Sequence, residues 1–144
     1  MTLRQSCVCL ARIALLAIGL SMVARAGDSN DAAKIARGKY LVEDVGKCAD
    51  CHTPFDEKGQ PIADKHLQGA LLVFKPTVPM PAWAERSPNI AGLKGWEEEE
   101  AVHFMMTGET SDKHRPRPPM PEYRFNQEDA RAVVAYLRSL STSK

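Results

Sequence analysis

Cysteine is scarce in this chain, with four in 144 residues, and two of them, Cys7 and Cys9, lie in an N-terminal stretch that has no acidic residue before Asp28. So few cannot supply the disulfide framework that holds many small exported domains together. Long apolar runs are lacking too. The stretch from Ile13 to Ala24 is 12 residues, against the ~20 that a bilayer-crossing helix needs. Charge is nearly balanced, with 19 basic and 18 acidic residues, so neither nucleic acid nor an acidic surface is demanded as a partner. The length suits one domain and excludes two comfortable ones.

The acid-free start has an organisation of its own. A polar opening carrying Arg4, the apolar run from Ile13 to Ala24, and Ala24-Arg25-Ala26 before Gly27 read as a secretory leader cleaved after Ala26. Residues 1–26 are therefore expected to be a signal peptide and residues 27–144 the working domain, placed in the periplasm; an uncleaved membrane anchor is the competing reading. Loss of Arg4, Arg12 and Arg25 turns the formal charge of +1 into −2. Only Cys48 and Cys51 then remain.

All ten prolines fall between Pro54 and Pro121, which leaves the ends of the remaining chain free for helices. From Asp31 to Val45 the residues Ile35, Gly38, Val42 and Val45 recur at helical spacing, with Ser29 or Asn30 as a cap. Glu97 to Thr107 predicts a second helix, its acids at the positive end and Gly108 at the stop. Gln127 to Leu140 predicts a last one, capped by Asn126 with Asp129 three residues on, and striped by Ala130, Val133, Leu137 and Leu140. Thr53 to Gly95 offers no strand pair and one compact apolar patch, Ala70 to Phe74. Three helices and long loops make a thin core unless a large apolar ligand fills it.

Cys48-Ala49-Asp50-Cys51-His52 supplies that ligand. In a CxxCH motif two thiols reach the vinyl groups of haem and the adjacent imidazole reaches iron. A zinc knuckle needs a second ligand pair and a redox dithiol wants a βαβ setting, and neither is here; a simple disulfide between Cys48 and Cys51 is the third competing reading. One motif predicts one covalently bound haem c, with His52 as proximal ligand. The sixth ligand is sought among Met80, Met105, Met106, Met120, His66, His103 and His114. Met105 and Met106 fall in a predicted helix, where methionine fills core. Met120 stands in the stiff run Pro118-Pro119-Met120-Pro121, just ahead of the last helix, and is the favoured choice.

These residues resemble class I c-type cytochromes, and more closely the cytochrome c domains associated with periplasmic quinoprotein and flavin dehydrogenases. The resemblance is carried by Ala36 to Val42, Cys48 to Thr53, Ser87-Pro88-Asn89-Ile90 before Gly95-Trp96, Pro118 to Pro121, Tyr123-Arg124 and Val134 to Arg138. It implies an all-α cytochrome c fold in which the N- and C-terminal helices cross at Gly38 and the stripe around Tyr136 and Leu137, long loops wrap one haem, and His52 and Met120 form the axial pair. Two departures stand out. The Gly38 to Cys48 spacing is one residue longer than usual, and no Gly-Pro pair follows His52 where the family uses one to orient the imidazole. Trp96 is read as packing beside the cofactor.

With both axial positions filled the iron has no open site, so the expected function is outer-sphere transfer of single electrons rather than catalysis. Expected partners are redox proteins: a dehydrogenase, an oxidase or another cytochrome. No nucleic acid is expected, and membrane association only through an uncleaved leader or a membrane-bound partner. A haem gas sensor or peroxidase-like enzyme with a labile sixth ligand is the alternative. Lys113, Arg115 and Arg117, close before Met120, are either docking charges around the haem edge or a solvated basic loop.

Overall fold

A computed structural model describes residues 29–140. The expected leader lies outside them. The chain divides into two units, residues 1–33, described only from 29 and helical there, and residues 34–144, which hold the core and the site. Among the described residues there is no β-sheet, and no helix is long and apolar enough to cross a membrane.

Helix α1 runs over residues 29–40 as an α-helix and continues through Leu41–Val45 as a π turn, closed by Gly46 N–H donating to Leu41 O at 2.7 Å. Ser29 and Asn30 are already helical, so neither caps it. A π turn holds one residue more than an α turn, and it takes up the extra residue between Gly38 and Cys48. It also rotates the apolar stripe. Leu41 and Val42 are buried while Val45, assigned by spacing to the core face, is half exposed.

Lys47, in the left-handed region at φ 50, reverses the chain, and the short α2, Cys48–His52, begins at once. Two isolated bridges, Phe55 with Pro61 and Leu71 with Arg86, and two single 3-10 turns, Ala63–Lys65 and Ala91–Leu93, punctuate the long loop that follows. The loop contributes to the core through Leu67, fully buried, and through Ala91 and Leu93 just before α3, and not through the apolar run after Ala70, of which Leu71, Val73 and Phe74 are exposed.

Helix α3, Glu98–Thr107, starts one residue later than predicted, with Glu97 extended before it and Gly108 left-handed after it at φ 72. Helix α4, Gln127–Ser139, is capped as expected, since the Asn126 side chain accepts from Asp129 N–H at 2.9 Å. The Asp129 carboxylate reaches across to Arg37 Nε at 2.8 Å, and this guanidinium holds its pKa below the usual carboxylate range.

α4 is buried on two faces rather than one. Val133 and Leu137 belong to the predicted stripe and line a cavity, whereas Ala132 and Tyr136 meet α1 at Gly38. The Tyr136 hydroxyl donates to Glu43 Oε1 at 2.6 Å, and His66 Nε2 approaches the same oxygen at 2.8 Å. Glu43 thus ties the first helix to the last and to the loop. α3 packs along α4, and the space these helices leave open is the site.

Candidate functional site

A cavity of about 600 Å³ opens between α2, α3, α4 and the loops before and after α3, within the range of small-molecule and cofactor sites. Leu41, Val42, Ile90, Leu93, Trp96, Phe104, Met105, Phe125, Val133 and Leu137 give it an apolar wall. Cys48, Cys51 and His52 line one side, and Met120 with Pro119 and Pro121 lines it from the loop after α3. Residues 68 positions apart in sequence are thereby brought to one space.

α2 presents the thiols because its first residue and its fourth fall on one face of a helical turn. Both cysteines are free. Burial pushes the Cys48 thiol pKa up, partly offset by the nearby Tyr123 hydroxyl, and burial likewise raises Cys51. The two therefore stand as neutral thiols in an apolar wall.

His52 is buried, and burial pulls its pKa down against the pull of the Pro88 carbonyl. Its Nδ1 lies 2.8 Å from Pro88 O, so Nδ1 carries the proton and Nε2 keeps a lone pair for a metal. This contact replaces the absent Gly-Pro pair. Ser87-Pro88-Asn89 is held in place by Ser87, whose hydroxyl donates to Cys51 O at 2.6 Å and accepts from Ala70 N–H at 2.9 Å. Gly69 closes the same corner: its N–H donates to His52 O at 2.7 Å, its φ is +86, and a Cβ there would stand 2.8 Å from the Pro88 carbonyl carbon. Ser87-Pro88 is visible in the sequence but its role is not, because a carbonyl acceptor leaves no signature in side-chain types.

Ser87→Ala should lower the melting temperature by about 4–8 °C, the loss of about 1 kcal/mol in a domain near 100 residues. Thermal unfolding followed by circular dichroism checks it, and a change under 1 °C would mean that Ser87 does not hold the Pro88 carbonyl.

Of the other six candidate ligands, four lie outside the cavity and two line it. Met80 is 39% exposed and outside the cavity. Met106 packs on the core, His103 is exposed on α3, and His66 is engaged with Glu43. Met105 packs on the core and also lines the cavity, and His114 stands at its rim with Nδ1 2.7 Å from Asp112. Trp96 packs at a tilt against Phe104, ring centroids 5.4 Å apart. Of the basic loop, Arg115 is engaged by Glu109 and Glu122, and Lys113 has Glu109 at 3.9 Å. Two of the three candidate docking charges are therefore offset by carboxylates. Tyr123, to which the sequence assigns no role of its own, lines the cavity and donates from its hydroxyl to Gly46 O at 2.7 Å.

The sequence model of the family described as Cytochrome c matches residues 35–141. The chain belongs to the cytochrome c family. Its helices and loops are the cytochrome c fold, and the family's cofactor is covalently bound haem c. The chain's own residues fit it: two uncharged thiols in the CxxC order on one side of the cavity, an imidazole with a fixed tautomer, and an apolar cavity of about 600 Å³ that would take a macrocycle.

Among curated proteins the chain is similar to the fructose dehydrogenase cytochrome subunit of Gluconobacter japonicus, 30% identical over 72% of this chain and 21% of that one. It is similar to a diheme cytochrome c-type protein of Cereibacter sphaeroides, 32% identical over 71% of this chain and 34% of that one. The gluconate 2-dehydrogenase cytochrome c subunit of Pantoea cypripedii is 30% identical over 74% of this chain and 26% of its own length. The chain spans between a fifth and about a third of these relatives.

Proposed function

We propose that this cytochrome c is a periplasmic carrier of single electrons that holds one haem c through Cys48 and Cys51, with His52 and Met120 as the axial ligands. The observation that carries the reading is the convergence of these four side chains on one apolar cavity. When bound, haem c supplies an iron that changes its charge by one electron. The protein's share is to fix the imidazole through Pro88, exclude water with the apolar wall, and present a thioether from a stiff loop. A chain that fills both axial positions leaves none for substrate, so it is a carrier and not an enzyme. Sensor or peroxidase chemistry requires Met120 to leave, and a carbon monoxide difference spectrum of the reduced protein reads that directly.

Work as the electron-accepting subunit of a dehydrogenase is the second reading, beside that of a soluble carrier. It is favoured by the names of the relatives and by Leu71, Val73 and Val78, apolar and 62%, 85% and 61% exposed on the loop whose base lines the cavity. Copurification from native membranes separates a bound subunit from a free one.

Expression in a host that attaches haem in its periplasm should yield a chain beginning at Gly27, with the mass of one haem added. Intact mass spectrometry checks both halves. Haem extracted by acidified organic solvent would overturn the covalent link, a second haem mass would overturn the count, and retention of residues 1–26 would overturn cleavage.

A further inference from the structure

Tyr123 stands three residues past Met120, on the extended stretch that leads into α4. Its hydroxyl donates to Gly46 O at 2.7 Å across 77 residues of chain. Gly46 ends the π turn of α1, and Lys47 then swings the backbone into α2, which carries Cys48. One hydrogen bond therefore joins the loop that bears Met120 to the turn that delivers the first thiol. The joint has little slack, since a Cβ on Gly46 would stand 3.3 Å from Cys48 Sγ and 3.4 Å from the Tyr123 oxygen.

The ring is fixed as well as the hydroxyl. It stacks on Phe125 with centroids 5.3 Å apart and planes 9° from parallel, and Phe125 N–H donates to Met105 O at 3.1 Å, which anchors that stretch to α3. Arg115 and Arg124 clasp Glu122 on the outside of the loop, but those groups are exposed and their pairing is screened by water. Tyr123 is partly buried at the cavity wall, where a hydrogen bond is harder to replace.

We infer that Tyr123 is a positioning residue: it holds the Met120 loop against the Cys48 turn and so keeps the thioether in place on its side of the cavity. This rests on the proposed assignment of Met120 as sixth ligand. It does not touch the reacting atoms; it acts through the loop. Tyr123→Phe keeps the ring and the stack and removes only the bond to Gly46, whose carbonyl then has no partner from this loop.

The test uses the haem-loaded protein and imidazole as the probe, because an incoming ligand enters only when the Met120 loop opens. Stopped-flow binding of imidazole to the ferric form should be about 3- to 10-fold faster in Tyr123→Phe, the factor that one lost hydrogen bond gives an opening equilibrium. Tyr136→Phe is the comparison. It removes another phenol bond to the same turn, from α4 to Glu43 and not from the Met120 loop, so it should lower thermal stability and leave imidazole binding within twofold of the parent. Phe125→Leu, which keeps the hydroxyl but not the stack, should also accelerate binding and carries the test if Tyr123→Phe does not accumulate.

Met120→Ala separates the two levels. If it keeps the sulfur-to-iron band, the ligand assignment falls and Tyr123 has no thioether to hold. If it loses the band while Tyr123→Phe or Phe125→Leu binds imidazole at the parent rate, or Tyr136→Phe accelerates equally, the positioning role alone is overturned.

Discussion

Gly38→Ala is expected to lose about 3 kcal/mol or more of stability, visible as a fall of about 10 °C or more in melting temperature. Helix propensity alone predicts the reverse, a gain of about 1 kcal/mol. The contact across the helix crossing decides the sign. A Cβ on Gly38 would overlap the Ala132 carbonyl oxygen and stand 2.6 Å from its carbon and 2.8 Å from Tyr136 Cβ. Two of these three atoms are backbone, so no rotamer change relieves the clash and α1 must move off α4. That movement would weaken the Tyr136–Glu43 and Arg37–Asp129 links together. Gly59→Ala is the control: its φ is +74 but no atom lies within 4 Å of the added Cβ, so it reports backbone strain without a contact. A melting temperature for Gly38→Ala at or above that of Gly59→Ala would show that the crossing has room.

The parts of the fold that were legible in the sequence are those that side-chain type alone determines. Asn126 capping α4, Gly108 ending α3, and the CxxCH order each require particular residues at particular spacing, and each was readable. The π turn was not, because an i to i+5 turn is a packing outcome with no residue signature. Its trace was the extra residue between Gly38 and Cys48, visible as an anomaly of spacing and explained only by Gly46 N–H reaching Leu41 O. The second face of α4 was hidden for another reason. The family resemblance alone put Tyr136 at the crossing, Ala132 read as an unremarkable small residue, and the close approach of Gly38 makes both core. The apolar run after Ala70 misled in the opposite direction, since hydrophobic composition does not say which side of a loop faces solvent. Backbone acceptors such as Pro88 O and Gly46 O were beyond reach altogether, although both govern how the site is held.

Met120→Ala is expected to abolish the sulfur-to-iron charge-transfer band of the ferric protein. It should also lower the reduction potential by on the order of 0.1 V, a fraction of the ~0.8 V that axial ligands span. A neutral thioether favours ferrous iron over the water that would replace it. The loop suits Met120 to that role, since its N–H donates to Arg117 O at 3.1 Å, the neighbouring Pro118 carbonyl accepts from Ala84 N–H at 2.7 Å, and Tyr123 fastens the far end. Met105 is the rival, because it too lines the cavity. Yet it sits in the last turn of α3, packed on the core, where removal of its side chain should cost about 2–5 kcal/mol of stability and leave the band intact. Met80→Ala should change neither. Absorption spectra and potentiometric titration of the three variants distinguish the cases. Loss of the band in Met105→Ala with its retention in Met120→Ala would move the sixth ligand to α3, retention in all three would point to Met106, and absence of the band from the parent protein would leave the histidines at 66, 103 and 114 to be tested.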